Sequence, residues 1–169
     1  MKELKSQDEG FINYLEGYKK LIAKVASIYC KETEYRKDLI QDIIIQLWKS
    51  YPKYDKTYAI STWTYRIAIN VSISFLRKAT SRNKTHRDYL MHDELIQTDY
   101  SVIDEKPEQL YRFIELLKPI NKAIIILYLE GCSNKEISQI MGMSVTNVST
   151  RKLRIKDELK IYFETTKES

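Results

Sequence analysis

A chain of 169 residues that is 43% hydrophobic and 30% charged has the composition of a folded protein, with room for one domain or two small ones. Its 4 glycines and 3 prolines are too few to turn the many strands of a β-sandwich or barrel, and Gly10, Gly17, Gly131 and Gly142 stand too far apart for a phosphate-binding glycine loop. The net charge of +5, with an isoelectric point near 9.0, leans weakly toward a polyanionic partner.

Apolar residues at Phe11, Tyr14, Leu15, Tyr18, Leu21, Ile22, Val25 and Ile28 recur at helical spacing and predict a first helix from about Glu9 to Cys30. A second helix is expected from about Glu34 to Ser50, with Leu39, Ile43, Ile44 and Leu47 as its stripe and Pro52 as its stop. The stretch Tyr51 to Ser61 reads as a loop. A third helix, Thr62 to about Lys78, is apolar enough to lie largely in a core. From Ala79 to about Pro107 the periodicity fades, with at most a short helix around Asp88 to Gln97. Pro107 and Pro119 are well placed at helix starts. The second of these helices is expected to run through Glu130 and to be capped by Gly131.

The segment after Gly131 is the most informative. Ser133 with Glu136 three residues later forms a capping box, so a short helix is expected from Asn134 to Met141, ended by Gly142. Ser144 is a second N-cap, and a longer helix runs through about Phe163. A short helix, a glycine turn and a longer helix form the helix-turn-helix pattern. Val145, Val148, Ile155, Leu159 and Tyr162 are the expected inward stripe. Asn147, Thr150, Arg151 and Arg154 take the opposite face, where Asn and Arg can contact base edges; Ser149 and Thr150 can donate to phosphates.

Charge is unevenly distributed. Between Asp55 and Asp88 there is no acid, while Lys56, Arg66, Arg77, Lys78, Arg82, Lys84 and Arg87 all fall there. Between Glu136 and Asp157 there is again no acid, with Arg151, Lys152, Arg154 and Lys156 present. From Asp88 to Glu108 the sign reverses: Asp88, Asp93, Glu94, Asp99, Asp104, Glu105 and Glu108 face Lys106 alone. Two polyanion-binding surfaces joined by an acidic linker are the functional reading; solvated faces are the plain one.

The longest apolar run, Ala123 to Leu129, is far short of the ~20 residues a membrane span needs, and the start MKELKSQDEGF lacks a secretory core. Cys30 and Cys132 are expected as reduced thiols, and with only His86 and His92 beside them no zinc spacing can be assembled. The chain therefore reads as cytoplasmic, without metal or other cofactor. It carries no catalytic constellation: Asp38 and Asp42 have no histidine or third carboxylate nearby to make them a metal or acid/base pair.

The stretches DLIQDIIIQLWKSYPKYD and STWTYRIAINVSISFLRK resemble region two of bacterial RNA polymerase sigma factors, and the C-terminal helix-turn-helix resembles region four. The likeness is to the extracytoplasmic-function type and covers roughly Asp8 to Phe163. It implies an all-α fold: region two over 1–80, a flexible acidic linker over 81–107, and region four over 108–169. It implies an alternative sigma factor, not an enzyme. Its partners would be core RNA polymerase, promoter DNA as duplex and melted strand, and an anti-sigma factor.

Residue by residue, the resemblance places polymerase contacts at Asp38, Gln41, Asp42, Gln46 and Trp48. It matches Tyr51 to Thr62 with the loop that captures an unstacked base of the minus-ten element. Tyr54, Tyr58, Trp63 and Tyr65 are the aromatic candidates there, although core packing is the favoured reading of Trp63. Asn70 lines the pocket, and Lys56, Arg66, Arg77 and Lys78 meet phosphates. In region four, Thr146, Asn147, Ser149, Thr150, Arg151 and Arg154 would read the minus-thirty-five element. Two departures stand out. The loop Lys53-Tyr54-Asp55-Lys56 lacks the small glycine many relatives carry, and Ser149 stands where many have arginine. A ligand-sensing helix-turn-helix regulator that binds operators without polymerase is the rival reading.

Overall fold

The structure, a computed structural model, describes the backbone of residues 2–82 and 108–167 and the side chains of 9–79 and 109–165. Contacts divide the chain into two units, Met1–Val102 and Ile103–Ser169. Every regular element among the described residues is helical. The expected short helix at Asp88 to Gln97, the Pro107 cap and nearly all of the acidic linker lie outside the described residues.

The N-terminal unit contains α1 (Lys2–Tyr29), α2 (Thr33–Ser50) and α3 (Ile60–Arg82), each packed against the other two. Helix α2 buries one residue in four, Leu39, Ile43 and Leu47, all fully excluded from solvent. Each such side chain contributes about 1.5–3 kcal/mol through removal from water. Pro52 has no N–H to continue the helix, and the chain tightens into a 3-10 turn at Tyr51–Lys53. Helix α3 turns a stripe of small residues inward, Thr64, Ala68 and Ser72, each fully buried. Small side chains let neighbouring helices approach closely. The hydroxyls of Thr64 and Ser72 donate to the carbonyls of Ile60 and Ala68 at 2.7 and 2.8 Å, so neither is left unsatisfied.

With its proton committed to Ile60, Thr64 Oγ1 accepts from the hydroxyl of Tyr14 at 2.7 Å. Tyr14 lies in an aromatic cluster that joins all three helices. Its ring is 5.3 Å from Tyr51 and 5.8 Å from Trp63, and Phe11 meets Trp48 edge-on at 4.9 Å. Burial pushes the Tyr14 hydroxyl up to about pKa 12, partly opposed by its bond to Thr64.

The C-terminal unit contains α4 (Glu108–Leu116), α5 (Pro119–Leu129), α6 (Asn134–Met141) and α7 (Val145–Lys167). Helix α5 is its centre: Ala123 through Leu127 are all buried, as expected of a helix packed on several sides. Pro119 occupies its first turn. At its end, Gly131 adopts φ 84°, with Gly131 N–H bonded to the Tyr128 carbonyl and Cys132 N–H to that of Leu127, both at 3.0 Å. That is the Schellman arrangement, which closes the orphan carbonyls. The capping box forms as the sequence requires: Ser133 N–H donates to Glu136 at 2.8 Å, and Glu136 N–H donates to Ser133 Oγ at 3.2 Å. These bonds hold the Glu136 carboxyl below the usual carboxylate range, the Ser133 hydroxyl first among the causes. Gly142 ends α6 at φ 65°, and Ser144 Oγ accepts from Asn147 N–H at 3.1 Å to start α7.

Some boundaries differ from expectation. Helix α1 begins at Lys2 rather than Glu9, and α7 continues to Lys167. Helix α3 starts at Ile60 rather than Thr62, because the Ala59 carbonyl already accepts from Trp63 N–H at 3.1 Å. Val145, expected to face inward, is 45% exposed. It is the first residue after the Ser144 cap, while Val148 and Ile155 further along fill the core.

Two outcomes are expected for the buried hydroxyl pair. In urea denaturation of the full chain, Tyr14→Phe costs about 1 kcal/mol, since Thr64 keeps its bond to Ile60. Thr64→Val costs more, about 1–3 kcal/mol, because it strands a buried tyrosine hydroxyl. Equal costs would contradict the assigned direction of the bond. The stability that neutral Tyr14 supplies is complete below pH 10, its ordinary value, and is lost as pH rises toward about 12. Tyr14→Phe should shallow that alkaline decline, and an unchanged decline would place the titration elsewhere.

Candidate functional surfaces

At about 100° per residue, Asp38, Gln41, Asp42, Gln46 and Trp48 fall on one side of α2. All five are exposed there, opposite buried Leu39, Ile43 and Leu47. The structure adds Ile45, 48% exposed, in the middle of this face. The run Ile43-Ile44-Ile45 contained the signal, since in a helix that buries one residue in four, three consecutive residues cannot all turn inward. Trp48 is 43% exposed, with its edge against Phe11, so it both packs and shows itself. An apolar pair, Ile45 and Trp48, edged by Asp38, Gln41, Asp42 and Gln46, has the anatomy of a protein interface.

The loop after α2 is shaped by its own side chains. Tyr54 donates its hydroxyl to the Tyr58 carbonyl at 2.6 Å, and its ring lies 5.1 Å from Trp63. The Asp55 carboxylate accepts from both the N–H and the hydroxyl of Thr57. These bonds hold its carboxyl below the usual range, the Thr57 hydroxyl contributing most. The side chain thus closes the turn that a glycine would otherwise allow. Positive φ occurs among the described residues only at Gly131 and Gly142, so this glycine-free loop is unstrained.

Lys56 and Tyr58 are exposed on the loop, while Tyr54, Trp63 and Tyr65 are half-buried. Trp63 sits among Tyr14, Tyr51 and Tyr54 as part of the cluster's wall. On α3, Arg66, Asn70 and Arg77 stand at i, i+4 and i+11, exposed on one face, with Lys78 exposed beside them. An amide between two guanidinium groups can pair a base edge while its neighbours hold phosphates.

In the helix-turn-helix, Thr146, Asn147, Ser149, Thr150 and Arg154 are exposed on α7, and Leu153 joins them at 62% exposure. Arg151 is half-buried instead. It donates from Nε to Asn147 Oδ1 at 2.9 Å and from Nη1 to Asn121 Oδ1 at 3.0 Å. Ser149 accepts from Asn134 Nδ2 at 2.8 Å, and Asn134 Oδ1 accepts from Lys152 at 2.7 Å. Lys152 and Lys156 also lie over the Tyr128 ring, at 3.9 and 4.8 Å. Asn121, Asn134 and Tyr128 escaped sequence reasoning, because nothing in their spacing shows that they face α7.

Cys30 and Cys132 are free, and burial raises both thiols, which disfavours the reactive thiolate. Among the described residues no group of three His, Cys, Asp or Glu is placed to hold a metal ion. No described helix is long and apolar enough to cross a membrane.

Family models for Sigma-70 region 2 and Sigma-70 region 4 match residues 15–82 and 107–159. The ECF RNA polymerase sigma factor SigW of Bacillus subtilis is 25% identical, over 95% of this chain and 92% of its own length. The RNA polymerase sigma factor YlaC of the same organism is 28% identical, over 75% of this chain and 76% of its own. Among solved structures, the sigma factor RpoE from Bartonella quintana, in complex with the anti-sigma factor NepR, aligns with a TM-score of 0.72. That alignment has 18% identity and covers 92% of this chain and 98% of that one. CnrH in complex with the cytosolic domain of CnrY aligns with a TM-score of 0.66 and 16% identity, over 94% and 90% of the two chains. With both regions matched in this order, and with relatives aligned over most of their length, the chain belongs to the extracytoplasmic-function type of the sigma-70 family.

Proposed function

We propose that this chain directs core RNA polymerase to promoters, with α2 as its polymerase contact, the Tyr54–Tyr58 loop and α3 as its minus-ten surface, and α7 as its minus-thirty-five reader. One observation carries the reading: the region 2 match bears an exposed apolar pair ringed by polar groups and a cation–amide–cation face, and the region 4 match bears a doubly capped helix-turn-helix. Ile45 and Trp48 supply desolvation to the polymerase contact, while Asp38 and Asp42 supply charge and register. At the minus-ten element, each step of lost stacking is worth roughly 1.4 kcal/mol. The loop offsets this by enclosing the extruded base, Asn70 by hydrogen bonding, and Arg66, Arg77, Lys78 and Lys56 by holding the displaced strand. The chemistry is binding and strand separation rather than catalysis, and it belongs in the cytoplasm. An anti-sigma partner belongs to the same reading, since one solved neighbour is in complex with an anti-sigma factor.

Run-off transcription with bacterial core polymerase and a genomic promoter library tests the whole reading. Discrete transcripts that need both proteins are expected. Tight sequence-specific duplex binding by the chain alone, without transcripts, would instead make it a conventional regulator.

The α2 contact is tested separately. Asp42→Arg with Gln46→Ala should weaken capture of core polymerase by about tenfold or more while circular dichroism stays unchanged, since both positions are exposed. Unchanged capture by the folded variant rejects the assigned face.

Asn70→Ala should leave polymerase capture intact and slow open-complex formation about fivefold to tenfold, the worth of roughly one hydrogen bond. A template with a pre-melted bubble should largely bypass the unstacking cost, though not any lost base contact. Permanganate reactivity on matched and bubble templates reads the difference. Wild-type melting of the matched promoter by the variant would make Asn70 a helix-surface amide only.

A further inference from the structure

Asn121 lies in the first turn of α5 and in no motif of the sequence. Its Oδ1 accepts from Nη1 of Arg151, and Arg151 donates from Nε to Oδ1 of Asn147. The three side chains form a relay from the centre of the unit to the exposed first turns of α7. We propose that Asn121 is a positioning residue that determines base specificity in this chain, a role that rests on the DNA-facing reading of α7 above.

The atoms of Arg151 and Asn147 that remain available decide what each can offer DNA. A guanidinium grips guanine O6 and N7 through one of two edges, Nε with Nη2 or Nη1 with Nη2. Asn147 takes the single Nε–H and so closes the Nε–Nη2 edge, while Asn121 takes one of the two N–H groups of Nη1 and fixes where the Nη1–Nη2 edge points. Arg151 is therefore tied into the unit by two bonds, and its remaining edge faces where Asn121 sets it. The same relay alters Asn147. An asparagine selects adenine by donating from Nδ2 to N7 while accepting at Oδ1 from N6. Here one lone pair of Oδ1 is already given to Arg151, which turns the amide and leaves Nδ2 as its wholly uncommitted group. A lone donor meets guanine O6, guanine N7 or thymine O4 with little discrimination. Arg154, exposed three residues on from Arg151, keeps its guanidinium for a two-pronged contact. The helix thus carries two arginines with different duties, and a residue on another helix assigns them.

The experiment selects bound DNA from a duplex library randomised across the upstream element, using the full chain assembled with bacterial core polymerase. Asn121→Ala frees Nη1 of Arg151 and lets its Nη1–Nη2 edge turn to grip guanine. One base-pair column should shift toward a purine by about tenfold, the size of one two-pronged contact. Asn121→Asp keeps an acceptor for Arg151 and should preserve the wild-type column, while its added charge weakens binding uniformly. An Asn121→Ala profile identical to wild type overturns the role. So does an equal loss at every column with a lowered melting temperature, which is what a purely structural contact gives. Arg154→Ala separates the two readings. If it alters its own column and Asn121→Ala alters none, the role of Asn121 falls and the DNA-facing reading stands. If neither alters any column, the DNA-facing reading falls and takes the role with it.

Discussion

The working parts of the N-terminal unit depend on one buried contact, the hydroxyl of Tyr14 against Thr64, and on the aromatic rings around it. A phenol inside a helical bundle is tolerable only if its hydroxyl has a partner. Thr64 supplies one because its own proton is already spent on the helix. That arrangement fixes Tyr14, and Tyr14 places Tyr51 and Trp63. Two surfaces grow from this centre. Phe11 supports Trp48 at one edge of the α2 face, and Trp63 supports Tyr54, which ties down the loop. The two surfaces, proposed for polymerase and for an unstacked base, lie on different elements, yet their aromatic anchors belong to one cluster.

The C-terminal unit is organised by different means. Its core is a short apolar helix, α5, and its geometry comes from backbone accounting at helix ends. The Schellman closure at Gly131, the Ser133–Glu136 box, the left-handed Gly142 and the Ser144 cap follow one another within fourteen residues, Gly131 to Ser144. Each satisfies orphan groups that would otherwise leave the turn loose, and a cap of this kind is typically worth about 1 kcal/mol. The turn between α6 and α7 is thereby held by bonds to its own main chain, while Ile137, Ile140, Val148 and Ile155 fill the core beneath it. Several side chains of α7 are nevertheless engaged by the rest of the unit: Arg151 by Asn121, Ser149 by Asn134, and Lys152 and Lys156 by Tyr128.

These two modes of construction explain what the sequence disclosed. Caps are local: Ser133, Glu136, Gly142 and Ser144 lie within a few residues of the groups they satisfy, so their roles could be read directly. The i, i+4 rhythm of Leu39, Ile43 and Leu47 was equally legible. Long-range polar partners were not. Nothing in the string marks Thr64 as the acceptor of a tyrosine fifty residues earlier, or Asn121 as the anchor of an arginine thirty residues later. Val145 looked apolar and periodic, yet it sits on the first turn, ahead of the buried positions. Arg151 looked like a free guanidinium because charge is visible in sequence and engagement is not. The family resemblance supplied the division of labour, and the structure adds which side chains are already occupied.

The placement of the two tryptophans gives the protein a built-in optical asymmetry. Trp48 and Trp63 both belong to the N-terminal unit, so intrinsic indole emission is blind to the helix-turn-helix and reports the other unit alone. The two indoles are also unequal. Trp48 is partly open to water on the α2 face, whereas Trp63 is hemmed by tyrosine rings whose emission energy it can collect. A protein seated on α2 dehydrates the first and leaves the second nearly unchanged. Rearrangement of the loop alters the tyrosine neighbours of the second and leaves the first in place. The aromatic cluster that holds the fold together therefore distinguishes, in a single unlabelled chain, docking on one surface from movement at the other.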